Sequence, residues 1–254
     1  MISIKSDREI ELMRATSKLA AQTLEYIEPF VVPGASTEEL NQLCHEFIVK
    51  HGAYPSPLNY HGFPKSICTS LNEVICHGIP SKADVLKDGD ILNIDVTTYL
   101  NKFHGDSNKT FLIGNVAPHV KKLVDITYQC MRAGIQTVRP GAHIGDIGAA
   151  IQEIAHAHGY SIVEDYCGHG IGRRPHEEPE IPNYLENGDT KSGPKIKNGM
   201  VFCIEPMICC KDRNPVILDN GWDVVSKDGL RGSHYEHTVA VINGKAVILS
   251  NSED

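Results

Sequence analysis

The chain carries a worn copy of itself. Lys87-Asp88-Gly89, the apolar run Ile91-Leu92-Asn93-Ile94 and then Asp95 return 110 residues later as Lys197-Asn198-Gly199, Val201-Phe202-Cys203-Ile204 and Glu205. Each copy is a turn, an apolar strand and a terminal carboxylate. Pro33-Gly34-Ala35 and His51-Gly52 reappear 107 residues on, as Pro140-Gly141-Ala142 and His158-Gly159, and His77-Gly78-Ile79 echoes 92 residues on as His169-Gly170-Ile171. Gly and Pro are common, so one echo is worthless. Four in the same order, two at the same spacing, indicate duplication with loop insertions. The 254 residues are expected to form one domain of two related halves, about 1–115 and 116–254, meeting near Gly114 to Pro118.

The halves read alike. A helix is predicted from about Asp7, with Ser6 and Glu9 spaced as a capping box and Ile10, Met13, Ser17, Ala20, Leu24 and Ile27 at helical spacing, ending near Pro29. A second starts near Ser36, with Glu39 three residues on, and stops at Gly52. The later half repeats the pair, from Pro118 toward Val138 and from Ile144 to His158. Strands follow each pair, so the fold class is α+β, with a pseudo-twofold axis and sheets meeting in the middle.

The carboxylates carry the chemistry. Ile91–Tyr99 and His104–Ile113 read as a hairpin around Leu100-Asn101-Lys102. A turn centred between residues 100 and 101 sets Asp95 directly opposite Asp106, and a slip of two makes them diagonal neighbours. Two facing carboxylates in an apolar setting need a shared proton or a cation. Glu205 ends the strand Met200–Ile204 just before Pro206, and Glu236 lies in a strand expected to run from Ser233 to Ile242. If the halves are related, two carboxylates from each converge, and two divalent cations would balance them. His169, between Gly168 and Gly170, is either a turn residue or the imidazole that completes the ligand set; its glycines are expected to leave the backbone open to substrate. Oxygen ligands with one imidazole suit Mn, Fe, Co or Zn.

Composition narrows the partners. A net charge of −8 argues against nucleic acid, whose phosphates need a positive field. No apolar run approaches the roughly 20 residues of a bilayer helix, and Met1 to Asp7 lacks the form of a signal peptide, so a cytoplasmic protein without membrane partners is expected. The eight cysteines show no zinc-finger spacing and read as free thiols.

These residues resemble type I methionine aminopeptidases. The resemblance rests on Asn93-Ile94-Asp95-Val96, His104-Gly105-Asp106, Gly168-His169-Gly170-Ile171-Gly172, Ile204-Glu205-Pro206-Met207 and Tyr235-Glu236-His237-Thr238, with Tyr60-His61-Gly62-Phe63-Pro64-Lys65-Ser66 and Cys76-His77-Gly78-Ile79-Pro80 earlier. It implies the pita-bread fold and removal of the initiator methionine from nascent polypeptides, before a small second residue, by a hydroxide activated between two metals. It implies that Asp95 chelates one metal, that His169 and Glu205 bind the other, and that Asp106 and Glu236 bridge both. Glu205 would also accept a proton from the attacking water, His77 would assist the leaving amine, and His176 would contact the substrate carbonyl. Tyr60, Phe63, Cys68 and Trp222 would line the methionine pocket. Pro175, where many relatives carry an aromatic or other apolar residue, departs from the pattern and bears on pocket shape. The short start suits the bacterial-type form. N-terminal methionyl peptides are the expected partners, with the ribosome a plausible one and a monomer the expected state.

Two rivals stand beside this. A prolidase or aminopeptidase P on the same fold usually carries an additional N-terminal domain. A binding protein that had lost the metals would not need Asp95, Asp106, His169, Glu205 and Glu236 intact.

Overall fold

The structure, a computed structural model, describes residues 1–253. Its helices fall where the sequence puts them: α1 (Asp7–Ile27), α2 (Thr37–Lys50), α3 (Pro118–Thr137) and α4 (Ile144–Ala157). Ser6 and Ser36 close capping boxes with Glu9 and Glu39, so side chains satisfy the free N–H groups of both helix starts.

The strands are β1 (Tyr54–Pro55), β2 (Cys68–Leu71), β3 (Val74–Cys76), β4 (Ile91–Leu100), β5 (Phe103–Leu112), β6 (Ser161–Ile162), β7 (Gly168–Gly170), β8 (Glu177–Ile181), β9 (Val201–Ile204), β10 (Met207–Cys209), β11 (Pro215–Ile217), β12 (Val224–Ser226), β13 (Gly232–His234), β14 (Glu236–Ile242) and β15 (Lys245–Ile248). A nine-stranded antiparallel sheet runs β1-β4-β5-β14-β9-β7-β8, with β2 also on β4 and β15 also on β14. The seam between the halves is the β5–β14 pairing, where Glu236 faces Asn108 and His237 faces Ser107. On either side of it stand β4 and β9, the two strands that the repeat equates.

The echoing glycines share a backbone shape. Gly34 and Gly141 have φ of 95° and 89°, Gly52 and Gly159 have 76° and 75°, and Gly89 and Gly199 have 91° and 81°. The His77/His169 echo does not match in this way. His169 lies on β7 beside β9, whereas His77, at φ 58°, follows β3, which pairs with β12 in a separate small sheet.

Two apolar clusters hold the layers. Leu24, Ile27, Leu40 and Ile48 of α1 and α2 pack on Leu92, Ile94, Val96 and Phe111. Leu123, Ile135, Ile147 and Ile151 of α3 and α4 pack on Phe202, Ile204, Val239 and Val241. Strand alternation then turns Asn93, Asp95 and Thr97 away from the helices. The helix α1 lies close on β5 because residue 105 is glycine: a Cβ there would fall 2.4 Å from the backbone nitrogen of Ser17.

Two expected details differ. The hairpin turns on Asn101-Lys102, at φ 55° and 69°, the left-handed pair that a two-residue turn requires. That centres the register one position later than expected: Asp95 faces Asn108, and Asp106 faces Thr97. The strand expected from Ser233 to Ile242 is broken at Tyr235: β13 joins a small sheet with β10 and β6, and β14 joins the large one. Likewise β9 and β10 part at Glu205-Pro206, where proline cannot donate to a ladder. Both glutamates therefore sit where the chain changes sheets.

No helix among the described residues is long and apolar enough to cross a membrane. All eight cysteines are free.

Candidate metal centre

The open face of the central sheet forms the floor of a cavity of about 600 Å³. Asp95, Asp106, His169, Glu205 and Glu236 line it, and so do His77, His176, Tyr60, Phe63, Cys68, Trp222 and Pro175. The sequence thus named residues from widely separated segments that the fold gathers into one chamber.

The diagonal register keeps Asp95 and Asp106 in side-chain contact. Asp106 is 5% exposed; its Oδ1 accepts from Thr97 Oγ1 at 2.9 Å. Its backbone N–H donates to Thr238 Oγ1 at 3.1 Å, and that hydroxyl donates back to the Asp106 carbonyl at 2.8 Å. Glu236 Oε2 accepts from Asn108 Nδ2 at 2.9 Å, and Asn93 Nδ2 fixes Asn108 by donating to its Oδ1 at 2.9 Å.

His169 donates Nδ1–H to the carbonyl of Gly170 at 3.1 Å. That sets the tautomer and turns the bare Nε2 into the site, 3.3 Å from Glu205 Oε1. The second glutamate oxygen lies 3.4 Å from His234 Nε2. The flanking glycines do not open the backbone to substrate as expected. A Cβ on Gly168 would lie 2.3 Å from the Cys203 carbonyl oxygen, and one on Gly170 would lie 2.2 Å from that of Glu178. They let β7 pack against its neighbours.

Burial, reinforced by the neighbouring carboxylates, pushes Asp95, Glu205 and Glu236 well above the usual carboxylate range. Burial lifts Asp106 to about 6, with the hydrogen bonds from Thr97 and Asp95 opposing. Burial and the nearby His176 press His169 down to about 3, so it is neutral. Asp95 Oδ1, Glu205 Oε1 and Glu236 Oε1 are all buried without a hydrogen-bond partner. A proton shared by one aspartate pair leaves the oxygens of both glutamates unsatisfied. Oxygens orphaned across both halves, with a lone pair of imidazole aimed among them, are the donor set that dications require. Donor atoms of Asp106, His169, Cys203 and Glu236 lie within 4.8 Å of one another.

Residues 11–243 match the model of metallopeptidase family M24. The chain belongs to metallopeptidase family M24. This M24 peptidase is 48% identical to methionine aminopeptidase A of Synechocystis sp. over 99% of its own length and 98% of the relative's. It is 44% identical to the methionine aminopeptidase of Escherichia coli over 100% and 95%. The crystal structure of the Rickettsia prowazekii methionine aminopeptidase superposes with a TM-score of 0.95 at 47% identity, covering 99% of this chain and 100% of that one. The architecture is accordingly the pita-bread α+β fold. A prolidase of Pyrococcus horikoshii shares the fold alone, at a TM-score of 0.76 and 18% identity, with only 64% of that chain covered. The M24 peptidase is a metal-dependent hydrolase, and the buried carboxylates and His169 fit the dications of its family.

Around the centre, Tyr60 Oη meets His176 Nδ1 at 3.0 Å, and the His176 ring packs edge-on to His169 with centroids 4.3 Å apart. Phe63 and Trp222 meet edge to face at 5.0 Å. His77 packs against Tyr166 and Trp222. Burial first and His176 second lower His77 to about 4.

Sequence reasoning passed over Thr97, Asn108, Cys203 and His234. Each lies two residues from a candidate ligand, so the period of a strand put it on the same face, and that signal was available in the sequence.

Proposed function

We propose that this M24 peptidase removes N-terminal methionine from peptides and nascent chains, acting in the cytoplasm as a monomer, with the ribosome as the place where it meets its substrate. Residues 1–254 act as one catalytic unit whose halves each supply ligands. The observation that carries the reading is the set of partnerless buried oxygens on Asp95, Glu205 and Glu236, opening into a chamber walled by Tyr60, Phe63, Cys68 and Trp222.

Asp95, Asp106, His169, Glu205 and Glu236 would hold the metals. When bound, dications lower the pKa of water and polarise a carbonyl. The chain's own groups do the rest. Phe63 and Trp222 offer an apolar slot to an unbranched thioether side chain. His176, held by the Tyr60 hydroxyl, faces the substrate carbonyl and donates to its oxygen as negative charge grows there. Glu205 receives a proton, a role suited to a carboxyl whose burial favours the protonated form. His77, a neutral ring in the same chamber, would hydrogen-bond near the scissile amide and so assist the leaving amine. A small second residue is preferred.

Hydrolysis of Met-Ala-Ser tests this, with Met-Leu-Ser and an X-Pro peptide as competitors. Met-Ala-Ser should be cleaved far faster than either, and Glu205→Ala should lose several orders of magnitude in rate with its circular dichroism unchanged. Preference for the X-Pro peptide would move the reading to a proline-directed peptidase.

A further inference from the structure

We propose that the buried ion pair of Lys5 and Glu177 is a positioning device for His176: the segment ahead of α1 straps down the loop that carries this imidazole, and so sets the turnover rate. The proposal rests on the peptidase reading and adds to it two residues that act through a third.

The loop is the first observation. Gly170 of β7 pairs with Glu177 of β8, and the ladder shifts register between His169 and Gly170. Residues 171–176 connect the two strands, and Arg174, Pro175 and His176 line the chamber. The loop starts well tied: the Gly172 carbonyl accepts from the backbone N–H of His104 at 2.8 Å, and the Gly172 N–H donates to the Arg174 carbonyl at 3.1 Å. Past Arg174, the His176 ring meets Tyr60 Oη at 3.0 Å, and Glu177 closes the loop.

The ion pair is the second observation. Lys5 Nζ donates to Glu177 Oε2 at 2.7 Å, across 172 positions of the chain. The two side chains are 3% and 10% exposed, the most buried pair of a lysine or arginine with a carboxylate among the described residues. The other Glu177 oxygen accepts from the Arg174 backbone N–H at 3.2 Å. One carboxylate therefore fastens the loop on one oxygen and the N-terminal segment on the other. That segment is anchored in turn: the Lys5 backbone N–H donates to the Gly199 carbonyl at 2.7 Å, in the turn that leads into β9 and Glu205. The fit is close, since a Cβ on Gly172 would lie 2.8 Å from both Glu177 Oε1 and Lys5 Cε.

Two buried charges lose their hydration, so such a pair adds little net stability over an apolar pair of similar volume. What it adds is a fixed direction, because the carboxylate cannot swing away without leaving a buried ammonium unpaired. Burial works to raise the Glu177 carboxyl, but the hydrogen bonds from Lys5 and Arg174 outweigh it and hold the group below the usual carboxylate range. Glu177 is therefore charged at neutral pH, and it adjoins His176 in the chain. A displacement of about 1 Å in that loop is enough to move the imidazole off a developing oxyanion, at a cost of about 100-fold in rate.

Kinetics and magnetic resonance together test this. On Met-Ala-Ser, Lys5→Met should lower kcat about 10–100-fold, while KM moves less than about threefold and Mn(II) affinity stays within about twofold. Lys5→Met leaves a buried carboxylate unpaired, so its urea midpoint should fall. The double variant Lys5→Met/Glu177→Gln has no unpaired charge; its midpoint should return toward wild type while kcat stays low. It carries the test alone if Lys5→Met does not fold. In the metal-free full chain, the His176 ring resonances, assigned by their loss in His176→Gln, should shift or broaden in the double variant as the Tyr60 contact loosens. Recovery of kcat along with the midpoint would make the pair a stabilising contact and overturn the positioning role. Low kcat with unmoved His176 resonances would route the effect through another group and overturn it equally. Either result leaves the peptidase reading standing, whereas a metal-loaded wild type that does not cleave Met-Ala-Ser overturns both.

Discussion

His169 Nε2 and Glu205 Oε1 face each other at 3.3 Å, and the imidazole's ring proton is committed on the far side, to the Gly170 carbonyl. Two lone-pair-bearing atoms at that distance are stable only with a proton or a cation between them. A dication would displace protons from carboxylates that burial holds above their usual range. Metal binding at pH 7 should therefore release protons, and apparent affinity should rise with pH, because the unloaded centre binds more protons than the loaded one. Calorimetric titration in two buffers of different ionisation enthalpy reads the number released. The same ion should raise the unfolding free energy by about 4 kcal/mol when its concentration is a thousandfold above Kd. A binding heat independent of buffer would show that the carboxylates are already ionised.

Thr97 should tune the metal through Asp106. Its hydroxyl donates to Asp106 Oδ1 at 2.9 Å from the position directly across the hairpin. Thr97→Val keeps the shape and removes the donor, freeing Asp106 to rotate. Metal affinity, read by competition with a chromogenic chelator, should fall about 10–100-fold. Unfolding in urea should change by only about 1 kcal/mol, since one hydrogen bond is lost. Unchanged affinity would mean that the backbone contact with Thr238 is enough to hold Asp106.

Much of this site was legible before any fold was known, because its information is local. The capping boxes at Ser6 and Ser36, the glycine turns and the apolar strands are each written in a few adjacent residues. The repeat then related the carboxylates of one half to those of the other. What stayed hidden depends on geometry that sequence spacing leaves loose. The one-position shift of the hairpin comes from Asn101 and Lys102 both adopting left-handed backbone, and lysine gives no signal for that. The break at Tyr235 arises because β13 and β14 pair with strands of different sheets, a tertiary choice. The tight packing of Gly168 and Gly170 likewise depends on the carbonyls of Cys203 and Glu178, which strand pairing brings close and local spacing does not reveal.

Gly105 should prove structural although it adjoins Asp106. A side chain there would press a Cβ to within 2.4–2.5 Å of the Ser17 backbone, which is held by α1 and cannot yield as a flexible side chain would. Gly105→Ala should push α1 off β5 and strain the reciprocal bonds between Thr16 and Thr98, at 3.1 and 2.9 Å. The expected destabilisation is about 1–3 kcal/mol or more, read from the urea midpoint. A midpoint equal to wild type would show that the helix has freedom to move outward.

His77 should make the protein sensitive to acid. Burial, with the neighbouring His176 ring adding to it, lowers its folded-state value to about 4 from an ordinary 6.5. The unfolded chain thus binds this proton at a higher pH than the folded chain does. Stability from keeping the ring neutral is complete above pH 6.5 and is lost as pH falls toward 4. Asparagine suits the position, because it tolerates the left-handed φ of 58° that His77 adopts. In His77→Asn the fall in unfolding free energy between those two pH values should be shallower than in wild type, while peptide hydrolysis drops at every pH. Parallel stability curves for the two proteins would place the titration of His77 at its ordinary value, and would leave its ring free to carry charge during catalysis.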